Sequence, residues 1–127
     1  MADLTLGEWA DELGRAAADT IREVRPVVSR GALNVKRDWA RGYKRLGPHI
    51  TDLPRTISYD LDQDAVSVGA EVGPDKALAG TQAPLGNVIE FGSPTSAPHP
   101  AGAAALEAEA PRFATNVLDV GERLLSR

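Results

Sequence analysis

The sequence predicts an α+β fold: an N-terminal helix kinked by proline, a small antiparallel β-sheet made of a hairpin plus a third strand, and a C-terminal helix packed on that sheet. Three observations predict it. Apolar residues recur at three- and four-residue spacing from Leu6 to Trp39 and again from Ala103 to Leu124, whereas they alternate between Thr56 and Val72. The chain has 127 residues, enough for one hydrophobic core and few for two, so residues 1–127 are read as a single domain. Hydrophobic residues make up 43% but aromatics only 5%, so that core must consist mostly of Val, Leu, Ile and Ala. Such a core is small, and burial against neighbouring copies would add to its stability.

The helical region is expected over 5–42. Thr5-Leu6-Gly7-Glu8 has capping-box spacing, and Leu4 and Trp9 stand where a hydrophobic staple would close around the cap. Leu6, Trp9, Leu13, Ala17, Thr20, Ile21 and Val24 then form one apolar stripe. Pro26 removes an amide donor and crowds the preceding turn, so a kink or a restart is expected there. The stripe resumes at Val27, Val28, Leu33, Val35 and Trp39, and Gly47-Pro48 marks a break.

The sheet is expected over 55–91. Ile57, Tyr59 and Leu61 share one face, as do Val66, Val68, Ala70 and Val72, and the short polar Asp62-Gln63-Asp64 joins the two runs as a hairpin. Residues 73–86, with three glycines and two prolines, read as a mobile loop. Asn87–Phe91 reads as a third, central strand because its apolar residues are nearly continuous. In such a strand Glu90 would need a donor, Arg55 or another arginine, unless it lay on the open face of the sheet.

The C-terminal helix is expected over 100–126, with Pro100 in its first turn. Ala103, Leu106, Ala110, Phe113, Val117, Val120 and Leu124 step alternately by three and four, a heptad-like seam that serves either the protein's own sheet or a contact between subunits. Pro111 is expected to bend or restart this helix.

Little in the composition points to catalysis. There is no cysteine, which excludes disulfides, thiolate chemistry and Cys-ligated metals. The two histidines, His49 and His99, are far apart in the chain, and His49 is expected on an exposed loop. Asp60, Asp62, Asp64 and Glu71 copy four positions of a calcium loop, but Ala65 stands where the loop needs glycine, so an acidic hairpin turn is the expected reading. No nucleophile elbow, P-loop or histidine–carboxylate metal pattern is present. The chain is therefore read as no enzyme, with no catalytic, cofactor-binding or metal-binding residues and no cofactor; a small hydrolase using His99 is the weakest reading. The apolar runs are too short for a membrane span, and the acidic N-terminus lacks a signal pattern, so synthesis in a cytoplasm without membrane association is expected.

Charge is segregated. Residues 1–21 carry a net −4, residues 22–45 a net +6 and residues 46–127 a net −6, for a total of −4. The basic stretch supplies the interaction candidates Arg22, Arg25, Arg30, Lys36, Arg37, Arg41, Lys44 and Arg45. It would face an acidic neighbour or the phosphates of nucleic acid, or else remain a solvated helix face. Trp39 and Tyr43 lie among these residues and could stack on bases, but helical spacing puts Trp39 on the apolar side with Val35.

The densest pattern is Leu85-Gly86-Asn87-Val88-Ile89-Glu90-Phe91-Gly92-Ser93, followed by Pro98-His99-Pro100 and Ala105-Leu106-Glu107-Ala108-Glu109. It resembles the small head–tail joining proteins (neck or tail-completion proteins) of long-tailed bacteriophages, clearly over 85–113 and loosely over 27–127. The structural motif comprises Ile89, Glu90, Phe91, Gly92, Pro98, His99 and Pro100. Ala101-Gly102 stands where many relatives carry a large apolar residue. The resemblance implies a structural virion protein at the neck/tail junction, acting without cofactor or catalysis. Copies would form a ring of roughly six-fold symmetry between connector and tail. Its partners would be connector, stopper or tail-terminator proteins, and it would line or surround the DNA path with sequence-independent contacts. The alternative from another class is a small DNA-binding or regulatory protein using 22–45.

Overall fold

A computed structural model describes residues 5–47, 53–75, 88–95 and 97–126. Its longest element is α1, Leu6–Lys44, 39 residues and therefore about 58 Å long. The expected capping box starts it: the Thr5 amide donates to Glu8 Oε2 at 2.7 Å, and the Glu8 amide donates to Thr5 Oγ1 at 3.1 Å. Leu4, the other half of the expected staple, lies outside the described residues. Pro26 does not divide the helix, which runs unbroken past it to Lys44, two residues beyond the expected end. Pro26 and Arg22 are both exposed, so the carbonyl that loses its amide partner lies on a face open to water.

A 3₁₀ turn, Leu53–Thr56, follows. Leu53, Pro54 and Thr56 are buried there, and the Thr56 hydroxyl donates to the Leu53 carbonyl at 2.6 Å. The expected hairpin then forms. Strand β1, Ile57–Gln63, pairs antiparallel with β2, Val68–Pro74, in the register Ile57↔Pro74 to Gln63↔Val68. Its turn is longer than Asp62-Gln63-Asp64 because Asp64 organises it: one carboxylate oxygen accepts the amides of Val66 and Ser67, each at 2.8 Å. Val66 consequently stands out of the strand and is exposed. Gly73-Pro74, expected in the mobile loop, complete β2; the rest of that loop from Lys76 on, like His49, lies outside the described residues.

The third strand is not seen: among the described residues the sheet has two strands. Residues 88–91 are instead one helical turn, closed by the Gly92 amide donating to the Val88 carbonyl at 2.8 Å. The apolar run that suggested a central strand has another use. Ile89 enters the core while Val88 and Phe91 on either side of it are exposed, and the curled backbone carries Glu90 to the next helix.

That helix, α2, is Ala101–Leu125 and passes through Pro111 without a break. Its largest contact is with α1. The two run antiparallel: Ala101 lies by Gly42, Phe113 over Gly31, and Arg123 within 4.0 Å of Glu23. The buried side of α2 is Gly102, Ala105, Glu109 and Val120, so its N-terminal half is rotated from the expected seam. Ala103, Leu106 and Ala110 remain exposed, while Phe113, Val117, Val120 and Leu124 turn inward.

The sheet also packs on α1. The tightest core gathers Tyr43, Leu53, Ile57 and Ile89, with Trp39, Ala40, Leu46, Val72 and Ala101 against it. Burial of each large aliphatic side chain in such a cluster stabilises the fold by roughly 1.5–3 kcal/mol.

Candidate functional site

The residues from Val88 to Ala103 form an elbow that fixes how α2 leaves the core. A helix start leaves amides without partners, and Pro100 at the N-cap has no side chain to accept them. Glu90 does this from twelve residues upstream. Its carboxylate accepts the Gly102 amide at 3.2 Å and the Ala103 amide at 3.1 Å. A carboxylate at this end also meets the positive end of the helix dipole. Its donors are therefore backbone amides of the elbow; neither the arginine nor the open sheet face considered from sequence is needed.

The other motif residues close the same loop. The His99 amide donates to the Ile89 carbonyl at 2.6 Å, and the Ala101 amide to the His99 carbonyl at 2.7 Å. Gly92 has φ 80°, a left-handed conformation that a side chain would strain. Pro98, His99 and Pro100 are exposed, and so is Phe91, at 78%. Ile89 alone among the seven is buried.

Gly102 answers why small residues follow the Pro-His-Pro step. A Cβ there would lie 2.6 Å from Glu90 Oε1 and 2.6 Å from Trp39 Cζ2. The start of α2 is thus pressed onto the Trp39 indole and the capping carboxylate at once. Trp39 meets Tyr43 edge to face, with ring centroids 6.3 Å apart. Burial pushes the Tyr43 phenol above its ordinary value; the Trp39 side chain opposes this and the Glu90 charge adds to it. Tyr43 is fully buried and Trp39 is packed on the core, so neither ring is displayed for base stacking.

The eight basic candidates divide into two groups. Arg22 pairs with Asp19 at 3.2 Å, Arg41 with Asp38 at 3.1 Å, Arg25 donates to Gln63, and Lys36 sits 5.9 Å from the centre of the Tyr59 ring. Arg30, Arg37, Lys44 and Arg45 are exposed, with no ion pair among the described residues. Arg30, Arg37, Arg41 and Lys44, spaced seven, four and three apart, form one row about 21 Å long. The buried row Val28, Ala32, Val35 and Tyr43 lies on the other side of α1.

Sequence reasoning missed a polar chain along the α1–α2 seam. Glu109 is only 3% exposed; it accepts from Asn34 Nδ2 at 3.1 Å and has Arg112 at 2.9 Å. Arg112 also reaches Asp38 at 3.7 Å. Glu109 is one position off the apolar seam, a signal visible only once the helix rotation is known. Beside this chain lies an apolar groove of about 850 Å³. Val28, Ala32 and Val35 of α1, Val68, Ala70 and Val72 of β2, and Ala103, Leu106, Ala110 and Phe113 of α2 line it.

The acidic residues of the hairpin do not converge. Asp60 pairs across the ladder with Glu71, Asp64 is engaged with amides, and no group of three potential metal ligands occurs among the described residues. Among those residues no helix is long and apolar enough to cross a membrane. Comparison with protein families, with curated proteins and with solved structures finds no match to this chain.

Proposed function

We propose that this chain is a structural subunit of the neck of a tailed bacteriophage, one of the copies of a ring that joins the connector to the tail around the DNA path. The elbow carries this reading. The Ile89-Glu90-Phe91-Gly92 and Pro98-His99-Pro100 pieces, on which the resemblance to head–tail joining proteins rests, close on one another through backbone hydrogen bonds and the Glu90 cap. The Glu90 carboxylate and the His99 backbone amide and carbonyl together set the direction of a helix. Such a motif suits a part whose task is a fixed shape presented to neighbours, with the exposed Phe91 and Pro98-His99-Pro100 on its outside.

The proposed partners are other copies of the chain and adjoining connector, stopper or tail-terminator proteins. The experiment is genetic and visual. Removing the gene from the phage that encodes it should leave filled heads and separate tails, and labelled protein should be found at the junction of complete particles. Normal particles without the protein would end the proposal.

One observation favours the second reading, a small DNA-binding or regulatory protein: the row Arg30, Arg37, Arg41 and Lys44 on the outer side of α1. That reading requires the isolated protein to bind duplex DNA, with affinity falling steeply as salt rises. A neck subunit needs no such affinity in isolation.

A further inference from the structure

The outer face of α1 carries a charge pattern that the rest of the molecule does not use. Glu8, Glu12 and Asp19 in its first half and Arg30, Arg37 and Arg41 in its second half fall within a sector of about 60° around the helix. That sector lies opposite the buried row Val28, Ala32, Val35 and Tyr43. Five of the six residues are exposed, and the Asp19 side chain is 49% exposed. Their contacts within the chain are local. Asp19 pairs with Arg22 and Arg41 with Asp38, each three residues away on the same helix, and Glu8 accepts the Thr5 amide. Glu12, Arg30 and Arg37 have no ion pair among the described residues. Exposed local pairs of this kind contribute little and exchange partners readily.

We propose that two copies of the chain dimerise through this face, their α1 helices antiparallel, with Glu8 of each opposite Arg41 of the other. That one alignment also sets Glu12 opposite Arg37 and Asp19 opposite Arg30. The acids at 8, 12 and 19 step by four and then seven, and the cations at 41, 37 and 30 step back by the same four and seven. No other antiparallel alignment of these residues and Lys44 matches more than two acid–base pairs. The two-fold axis repeats every pair. A parallel alignment would set acid on acid and base on base. The chain cannot satisfy the pattern by itself, because Glu8 and Arg41 lie about 50 Å apart on one unbroken helix. Arg15, the cation between Glu12 and Asp19, falls opposite Asn34, and Lys44 comes level with Thr5, a turn from Glu8. The start of α1 gains a neighbour in the same step. Every residue from Thr5 to Ala16 is exposed, and α2 ends near the level of Glu23. In the dimer these turns lie along residues 33–44 of the second copy, and an overhanging stretch of helix gains order from such a contact. The contact uses the same face on both copies, so it stops at two, and it covers the basic row until the dimer opens.

The dimer is a property of the free protein and does not depend on the neck reading, which particle morphology decides. Sedimentation of the full chain with paired charge reversals tests it. The wild-type chain should dimerise at low salt, and its Kd should rise about tenfold or more between about 0.05 and about 0.5 M sodium chloride, because exposed pairs are screened. Glu12→Arg and Arg37→Glu each turn two attractive contacts into two repulsive ones. Each variant alone should therefore dimerise about tenfold or more weakly, with unchanged helical circular dichroism. An equimolar mixture of the two should recover about wild-type affinity as a mixed dimer, since the native Arg37 of one variant then meets the native Glu12 of the other, and the two introduced charges meet each other. That recovery also shows that both variants are folded. Reversals that leave the dimer unchanged would overturn the proposed face. A mixture that associates as weakly as its components would overturn the alignment. A wild-type chain that stays monomeric at low salt would overturn the dimer, and binding of duplex DNA by that monomer, lost in Arg37→Glu, would give the basic row to phosphates instead.

Discussion

Glu90 is the residue on which the elbow turns. Replacing it with Ala removes two charge-assisted acceptors from the start of α2 and should destabilise the fold by about 1–2 kcal/mol in denaturant unfolding. Glu90→Gln should recover part of that, since an amide oxygen can still accept but brings no charge to the helix dipole. Gly102→Ala should cost about 1–3 kcal/mol for a different reason: its methyl would collide with Glu90 and with the Trp39 ring. The role of Glu90 was only partly legible in advance. The sequence displays a helix opening with Pro100, which cannot cap, and therefore a missing acceptor. It does not display which upstream carboxylate comes round to serve, because that depends on residues 88–91 curling rather than extending.

Among the elements, the two long helices were legible and their proline effects were not. The capping box and the stripe located the start of α1 to the residue. Pro26 and Pro111 each read as an interruption, yet both sit on exposed faces of helices held by contacts elsewhere. The intrinsic cost of proline remains, so Pro26→Ala should stabilise the protein by about 1–3 kcal/mol, seen as a higher melting temperature with increased helicity. Tertiary context overrode local preference more fully at residues 88–91. A run of apolar residues is ambiguous between a buried strand and a turn of helix, and here one buried side chain, Ile89, with Glu90 beside it, decided the matter. The hairpin was read correctly as a hairpin, but its turn was placed too early and too short: Asp62 and Gln63 belong to β1, and Val66 belongs to the turn. Asp64 explains the difference, and it makes the hairpin sensitive to acid. Its hydrogen bonds from Val66 and Ser67 hold the carboxyl below its ordinary value of 3.8. A depressed value means that its contribution is present above the unfolded-state value and fades as the pH falls through the folded one. Acidification below about pH 4 should therefore loosen the turn, read as faster amide exchange at Val66 and Ser67, and Asp64→Ala should show that looseness already at neutral pH.

For the whole molecule, α1 acts as a spine: α2 and the hairpin both rest on it, and a groove lies between them. The heptad-like seam of α2 was visible in the sequence, but it divides its labour. Phe113, Val117, Val120 and Leu124 turn inward, whereas Ala103, Leu106 and Ala110 face the open groove. No periodicity argument separates these halves, because in the first half the side turned to α1 runs through Gly102, Ala105 and Glu109 instead of the seam. The basic row on the opposite side makes a separate prediction. Reversing the charge of Arg37 and Arg41 should leave the melting temperature nearly unchanged, since both are exposed, while impairing particle assembly or retention of packaged DNA in the phage. Unchanged assembly and retention would remove the basic row from the functional account.

The two tryptophans of this chain stand on one rigid helix, about 45 Å apart. Trp9 is bare at one end, and Trp39 is wedged under Gly102 at the other. The molecule thus comes with its own pair of optical probes. In a Trp39→Phe background, emission reports only whether the far tip enters a dry environment, and in a Trp9→Phe background only whether the clasp around the second helix stays shut.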